Sequence, residues 1–295
     1  MANDKISLNA LIEEAEAAKL SLNAYLLPQS AAELEMTEEE LLAKMAQMLK
    51  VMEEAAAYGL TGVRSHSGLT GGSALKLQNA AAQPGFNKLL GALATDAVTY
   101  ALAVSECNAA MGRIVAAPTA GAAGVLPGVL LALKKHCNLT EEQLARALVV
   151  AGQIGLVIAA RASLAGAVGG CQAECGSAAA MAAGAAVDAL GGTPAQAGTA
   201  VSIVFKNMLG LVCDPVAGLV EVPCIKRNGG AAVQALLAAE MALAGIGSFI
   251  PADEAIDAMK WVGDSMPCAL RETAGGGLAQ TPTALAWAKA WFERE

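Results

Sequence analysis

Leu41, Leu42, Met45, Met48, Leu49 and Met52 recur at three- and four-residue intervals, the spacing that turns one apolar helical face toward a core. Thr37-Glu38-Glu39-Glu40 stands just ahead of them as a capping box, whose hydroxyl and carboxylate satisfy orphan N–H groups at a helix start. A helix is predicted from there to about Tyr58, with Gly59 as its stop. Its methionine stripe is read as core packing rather than as a surface for a partner peptide. Thr140-Glu141-Glu142-Gln143 opens a helix through the Val149 region, and Thr193-Pro194-Ala195-Gln196 opens one ending near Asn207. Pro251-Ala252-Asp253-Glu254 begins a further helix toward Trp261, and Thr283 to Phe292 reads as a terminal one. No sustained strand alternation competes, and no solenoid-type repeat is present. Glycine-rich breaks fall at Gly68–Gly72, Ala116–Gly128, Gly166–Gly176, Asp214–Gly218 and Gly275–Gly277, where function is expected to gather. The expected fold is all-α: a compact bundle of many helices rich in small residues, with glycine-rich inter-helix loops forming the site. Residues 36–295 form this domain, and residues 1–35 form a polar N-terminal region that docks on the body or on a partner.

Composition narrows the class. With 295 residues, 55% of them hydrophobic, the chain buries a sizeable core, and an aromatic content of 3% means that small side chains fill it. A net charge of -8 argues against nucleic acid, whose phosphates call for clustered Lys and Arg. A mean hydropathy of +0.48 raises the question of membrane spans. The longest charge-free helical run, Ala147–Ala160, contains Gln153 and stops at Arg161, short of the roughly 20 apolar residues a span needs. A second run, Ala189–Phe205, is broken by Gly191-Gly192-Thr193-Pro194, so no membrane location is expected. MANDKISLNALIEEAEAAK lacks the basic, apolar, small-residue order of a secretory signal, and a cytoplasmic location is expected. In that compartment seven cysteines read as thiols, metal ligands or core residues rather than as a disulfide framework.

Three of the seven stand beside glycine, proline or a carboxylate: Cys171 in GGCQAECG, and Cys213 and Cys224 in LVCDPVAGLVEVPC. Three soft donors suit a metal centre with a position left open to substrate. Their separations of 42 and 11 residues differ from the two-residue spacing of ferredoxin signatures, so these ligands meet only after folding. Spacing alone allows a second reading, that all three are buried small hydrophobes.

The surrounding segments carry a resemblance. SGLTGGSALKLQ (67–78), CNAAMGRIVAAPTAGAAGVLPGVL (107–130), GGCQAECGSAAAMAA (169–183), NMLGLVCDPVAGLVEVPCIKRN (207–228) and LRETAGGGLAQTP (270–282) together resemble the alpha subunit of the iron-sulfur-dependent L-serine dehydratases. The likeness covers nearly the whole chain in the same order. It implies a [4Fe-4S] cluster held by Cys171, Cys213 and Cys224, with one iron open to substrate and no pyridoxal phosphate. It also implies conversion of L-serine to pyruvate and ammonia, an iron acting as Lewis acid on the departing hydroxyl. The α-proton then needs a base. His66, just before Ser67-Gly68-Leu69-Thr70-Gly71-Gly72, is the candidate among two histidines, against the alternative of a water-exposed loop residue. In one-chain members of the family the suspected base lies on a separate beta-type domain, which no region here resembles. A separate beta subunit is therefore an alternative source, Lys76 a remoter one, and a beta subunit, a homo-oligomer or both are the expected partners.

Backbone N–H groups of Gly68–Gly72, or of Thr119–Gly124, are candidates for a nest gripping the substrate carboxylate, with Ser67, Thr70 and Thr119 adding hydroxyls. Tight helix-to-helix turns are the alternative, and no nucleotide-binding signature is present. Glu174, Asn207, Asp214, Arg227 and Asn228 are candidate neighbours that orient cluster or substrate, or else caps and surface pairs. Arg271 and Glu272 are expected to pair with each other or with substrate. Cys107, Cys137 and Cys268 are expected to be structural. The chain departs from the resemblance at three places. Cys175 can share a helix face with Cys171 as a fourth ligand, Arg161-Ala162-Ser163-Leu164-Ala165-Gly166 replaces a commoner Asn-Ala-Ser-Ile-Ser-Gly, and Phe292-Glu293-Arg294-Glu295 lacks a terminal cysteine. A cluster-dependent cysteine desulfidase, a non-catalytic iron-sulfur protein and a small-residue membrane bundle are the competing classes.

Overall fold

Every residue from Ser177 to Asp188 is buried, in a helix in which eight of thirteen residues are alanine. Side chains this small let neighbouring backbones approach, and the rest of the chain is arranged around that helix. The computed structural model describes residues 6–293, and all regular structure among them is helical, apart from isolated bridges between Arg64 and Gly71 and between Cys213 and Arg271. The ends of the expected N-terminal region and C-terminal segment, residues 1–5 and 294–295, lie outside the described residues.

The polar composition of the first 35 residues conceals two helices, α1 (Leu8–Ala17) and α2 (Leu22–Glu33), each started by a serine hydroxyl, Ser7 or Ser21, that accepts from an N–H three residues on. Their Leu8, Ile12, Leu22, Leu26 and Leu27 are buried in the same core cluster as the body. Asp253 and Asp188 fasten them to that body, accepting bonds from Ser7 and Leu8 and from Asn23, respectively. The capping box at Thr37 starts α3 (Glu38–Gly59) as predicted. α4 (Ser73–Ala81) follows the glycine-rich loop, and its first N–H groups, of Ser73 and Ala74, donate to buried Glu106 on α5 (Gly91–Ala109).

Next come α6 (Val125–Cys137) and α7 (Glu141–Arg161), the latter started by the Thr140 capping box. α7 is the one described helix long and apolar enough to cross a membrane, with a mean hydropathy of 1.6 over its most apolar stretch. Buried residues make up 61% of that stretch, and mid-helix Gln153 donates to Ser30 of α2. The segment expected as a loop at Gly166–Gly176 is instead helical. α8 (Gly166–Gly169) ends at the non-helical Gly170, after which Cys171 and a π-type turn, Gln172–Gly176, run without a break into α9 (Ser177–Ala189). Likewise Val125–Gly128 is the first turn of α6 rather than the end of a loop. Glycine read as a helix breaker in both places, yet tertiary packing more than offsets its helix penalty of about 1 kcal/mol.

The predicted caps at Thr193 and Pro251 start α10 (Pro194–Met208) and α12 (Ala252–Ser265), on either side of α11 (Cys224–Leu243). α13 (Pro282–Phe292) closes the described chain and packs on the Val216–Gly218 turn. α9 lies at the centre, touching α6, α7, α10 and α11. The 112–124 loop is fixed on this core by Asn228 of α11, fully buried, which accepts from Gly124 N and donates to the carbonyls of Gly121 and Cys224. A methyl group at Gly124 would lie 2.2 Å from the Ala101 carbonyl oxygen. Gly124→Ala is therefore expected to cost about 1–3 kcal/mol by overpacking. Gly152→Ala, at a helical position with open space around it, is expected to be neutral or to stabilise by up to about 1 kcal/mol. Urea denaturation of the two variants checks the contrast.

Candidate active site

Cys171, Cys213 and Cys224 are brought to one buried region by three different devices. Cys171 sits at the entrance to the π-type turn, and Gly170 before it takes a φ of +76° while passing 2.9 Å from the Leu211 carbonyl oxygen, measured from where a side chain would begin. Only glycine combines that backbone conformation with that approach. Cys213 is clamped through its backbone, its N–H donating to Leu270 O (2.9 Å) and its carbonyl accepting from Glu272 N (2.7 Å). Cys224 is the first residue of α11. All three are buried and unpaired by disulfide.

Electrostatics shows how closely these thiols feel one another. Burial, and then the neighbouring Cys171, push Cys224 up to about 12 and raise Cys213 further. Cys171 is held below its ordinary value by a hydrogen bond from Cys175 and by the Arg227 guanidinium, against burial. Cys175 is raised correspondingly by that bond and by its own complete burial. Arg227 donates through Nη1 to Val212 O (2.7 Å), and its Nη2 lies 2.8 Å from Asp214 Oδ1. Asp214 also accepts from Leu278 N (2.7 Å), tying the 277–280 turn to the cysteine loop.

Glu174 completes the buried wall. Its carboxyl is raised above the ordinary range by burial, although a 2.8 Å bond from Thr119 Oγ1 opposes this, and nearby Glu272 adds to it. A Cβ at Gly166 would lie 3.0 Å from both Cys213 Sγ and Glu174 Oε2, so thiol and carboxyl border the same point. Among the described residues no three His, Cys, Asp or Glu side chains close on a single ion.

The 65–72 loop abuts the cysteine loop. Ser67 Oγ donates to Glu221 Oε1 and Oε2 (2.8 and 2.9 Å) and Thr70 Oγ1 to Oε2 (2.7 Å), with Glu221 three residues before Cys224. The N–H groups of Gly68, Leu69 and Thr70 are spent inside the loop, on Ser65 O, Ser67 Oγ and Ser65 Oγ. Gly71 bridges to Arg64. His66 is exposed, its ring edge-on to Trp291 of α13 at 5.9 Å, and Trp291 stacks on Trp287. Thr119 is thus joined to the thiol region through Glu174, and Ser67 and Thr70 through Glu221. His66 is attached through α13 instead. Of the remaining candidates, Asn207 bonds Gln234, and Arg161 pairs with Asp257 (2.6 Å) and Asp253 across α7 and α12. Arg271 and Glu272 serve chiefly through their backbones beside Cys213. Cys107 is buried, Cys137 half-buried and Cys268 exposed, so the Cys268 thiol fills no core.

The family model described as Serine dehydratase alpha chain matches residues 6–279. The chain belongs to that family. A probable L-serine dehydratase alpha chain of Bacillus subtilis is 58% identical over 249 residues, 84% of this chain and 82% of that one. The L-serine dehydratase alpha chain of Peptoniphilus asaccharolyticus is 44% identical over 249 residues, 84% of each. An L-serine dehydratase of Escherichia coli is 47% identical over 182 residues, covering 61% of this chain and 40% of that longer one.

Two members of the site escape sequence reasoning. Glu221 is a lone charge in the apolar run between Pro215 and Pro223, which was the available signal. Trp291 gave none, since its partner His66 is 225 residues away. The Arg227–Asp214 pair yields a direct prediction. Arg227→Met leaves the buried Asp214 carboxylate without its cation and is expected to destabilise the protein by about 3 kcal/mol or more. Arg227→Lys, which keeps the charge and loses the fork, is expected to lose less. Chemical denaturation near neutral pH measures both.

Proposed function

We propose that this chain is the cluster-bearing alpha subunit of an L-serine dehydratase, deaminating L-serine to pyruvate and ammonia. The observation that carries the reading is the meeting of three buried thiols, from segments 42 and 11 residues apart, in a chain of the serine dehydratase alpha chain family. The donor set fits a [4Fe-4S] cluster: soft sulfur ligands, mutual repulsion among their anionic forms, and the Arg227 cation beside Cys171. Cys171, Cys213 and Cys224 would hold it. When bound, such a cluster supplies a Lewis-acidic iron toward the substrate hydroxyl.

The chain's own groups do the rest. The Arg227–Asp214 pair holds the cysteine loop against α11, and buried Glu174, steadied by Thr119 and raised above the ordinary carboxylate range by burial, borders Cys213. The 65–72 loop, with Ser67, Gly68, Thr70 and Gly71, contributes the substrate-facing polar wall alongside Thr119. His66 takes the α-proton if this chain works alone, and a separate beta subunit supplies the base otherwise. Loss of the α-proton and the hydroxyl leaves an enamine, which tautomerises to an imine and hydrolyses to pyruvate and ammonia without further help. A cytoplasmic location suits the free thiols.

Anaerobic reconstitution with iron and sulfide, followed by pyruvate formation from L-serine with and without a candidate beta subunit, tests the proposal. Serine replacement of Cys171, Cys213 or Cys224 is expected to lose iron and to lower turnover more than the roughly 10- to 100-fold typical of outer partners. Cys175→Ser is expected to retain iron, because a closed fourth position would exclude substrate. Pyruvate formation by iron-free protein would sink the mechanism, and faster turnover of L-cysteine than of L-serine would favour a desulfidase.

A further inference from the structure

The hydroxyls of Ser67 and Thr70 each own one proton, and both protons are spent on Glu221. What these hydroxyls can still offer a ligand is lone pairs: two on Thr70, and at most one on Ser67, whose Oγ already accepts from Leu69 N and lies 3.2 Å from Ser65 Oγ. The carboxylate of Glu221 only accepts as well. The N–H groups of Gly68, Leu69 and Thr70, the donors that would welcome an anion here, are consumed inside the loop. Among the described residues no lysine, arginine or histidine pairs with Glu221. Glu221 is buried, 7% exposed, while Ser67 and Thr70 are partly open to solvent. The result is a rigid cluster of acceptors around one uncompensated carboxylate, three residues from Cys224.

Such a cluster repels a carboxylate and suits a donor-rich cation. We infer that Ser67, Thr70 and Glu221 form an ammonium-binding subsite that takes the α-ammonium of the amino-acid substrate. The substrate carboxylate is then bound elsewhere, and Ser67 and Thr70 play a role opposite in polarity to a carboxylate nest. The inference rests on the L-serine reading and deepens it, because it explains how the site would discriminate an amino acid from a hydroxy acid carrying the same hydroxyl and carboxylate. The three bonds also lock the 65–72 loop to the cysteine loop, so ammonium binding and the position of Cys224 are set by one side chain.

The experiment compares L-serine with 3-hydroxypropanoate, which lacks only the ammonium, on the reconstituted enzyme with its beta subunit. Glu221→Gln is expected to raise KM for L-serine about 10- to 100-fold, the worth of a charge-assisted hydrogen bond. The inhibition constant of 3-hydroxypropanoate is expected to move less than about twofold. Thr70→Val and Ser67→Ala should shift the same ratio in the same direction by smaller factors, and they carry the measurement if Glu221→Gln fails to retain iron. Equal weakening of both ligands would mean that Glu221 is a scaffold only, and an unchanged KM would overturn the subsite outright. A wild-type enzyme that forms no pyruvate from L-serine overturns the substrate reading instead. Calorimetric titration with the two ligands then decides the inference separately, and equal affinity, or none, overturns it.

Discussion

The ion pair between Asp214 and Arg227 joins the segments that carry all three site cysteines. Asp214 follows Cys213, Arg227 lies in the turn of α11 begun by Cys224, and the guanidinium acts on Cys171. Taking two charges out of water is costly, and the cost is offset only where the remaining lone pairs and protons are also used. Here that is met in part: Arg227 donates to Val212 O as well, and Asp214 Oδ2 accepts from Leu278 N, while Asp214 Oδ1 has the Arg227 charge at 2.8 Å without an aligned hydrogen bond. The pair therefore specifies an arrangement that alanine contacts alone would leave loose, and the thiol geometry inherits its rigidity.

Around this joint the protein repeats one device. Buried polar side chains, each holding two or more partners, pin backbone segments distant in sequence. Asn228 fixes the 121–124 segment on α11, and Gln172 links Gly210 N to the Met259 carbonyl. Glu106 caps α4, and Glu221 staples the 65–72 loop. In a core with few aromatic side chains, such bonds supply the directionality that interlocking large residues supply elsewhere. The cost appears at the site, where thiols and carboxyls are crowded so that their anionic forms disfavour one another. A cationic group bound among them, as proposed above, would relieve that crowding.

Local chemistry was legible wherever it depended on neighbours in sequence. The capping boxes at Thr37, Thr140 and Thr193 and the helix starts at Pro251 and Pro282 need only three or four consecutive residues, and each was readable within about a residue. The N-terminal helices were hidden, since Leu8, Ile12, Leu22 and Leu26 are thinly spread among polar residues and show their role only against α7, α10 and α12. Gly166–Gly176 misled for the opposite reason: glycine disfavours a helix locally, and only its seat against the cysteine loop and α12 overrides that preference.

By itself, the sequence determined the all-helical class, most helix starts, the absence of a strand pattern, and which cysteines stand in chemically unusual surroundings. Those are properties of composition and short-range spacing, encoded within a few residues of where they act. Tertiary structure alone decided that Glu221 faces Ser67 and Thr70, that Glu174 shares its border with Cys213, and that His66 leans on Trp291. Each of those meetings spans from about 40 to more than 200 residues of chain. Their partners are selected by how alanine-lined helices pack, and the polarity of a hydroxyl, donor or acceptor, is settled only when its one proton has found a partner.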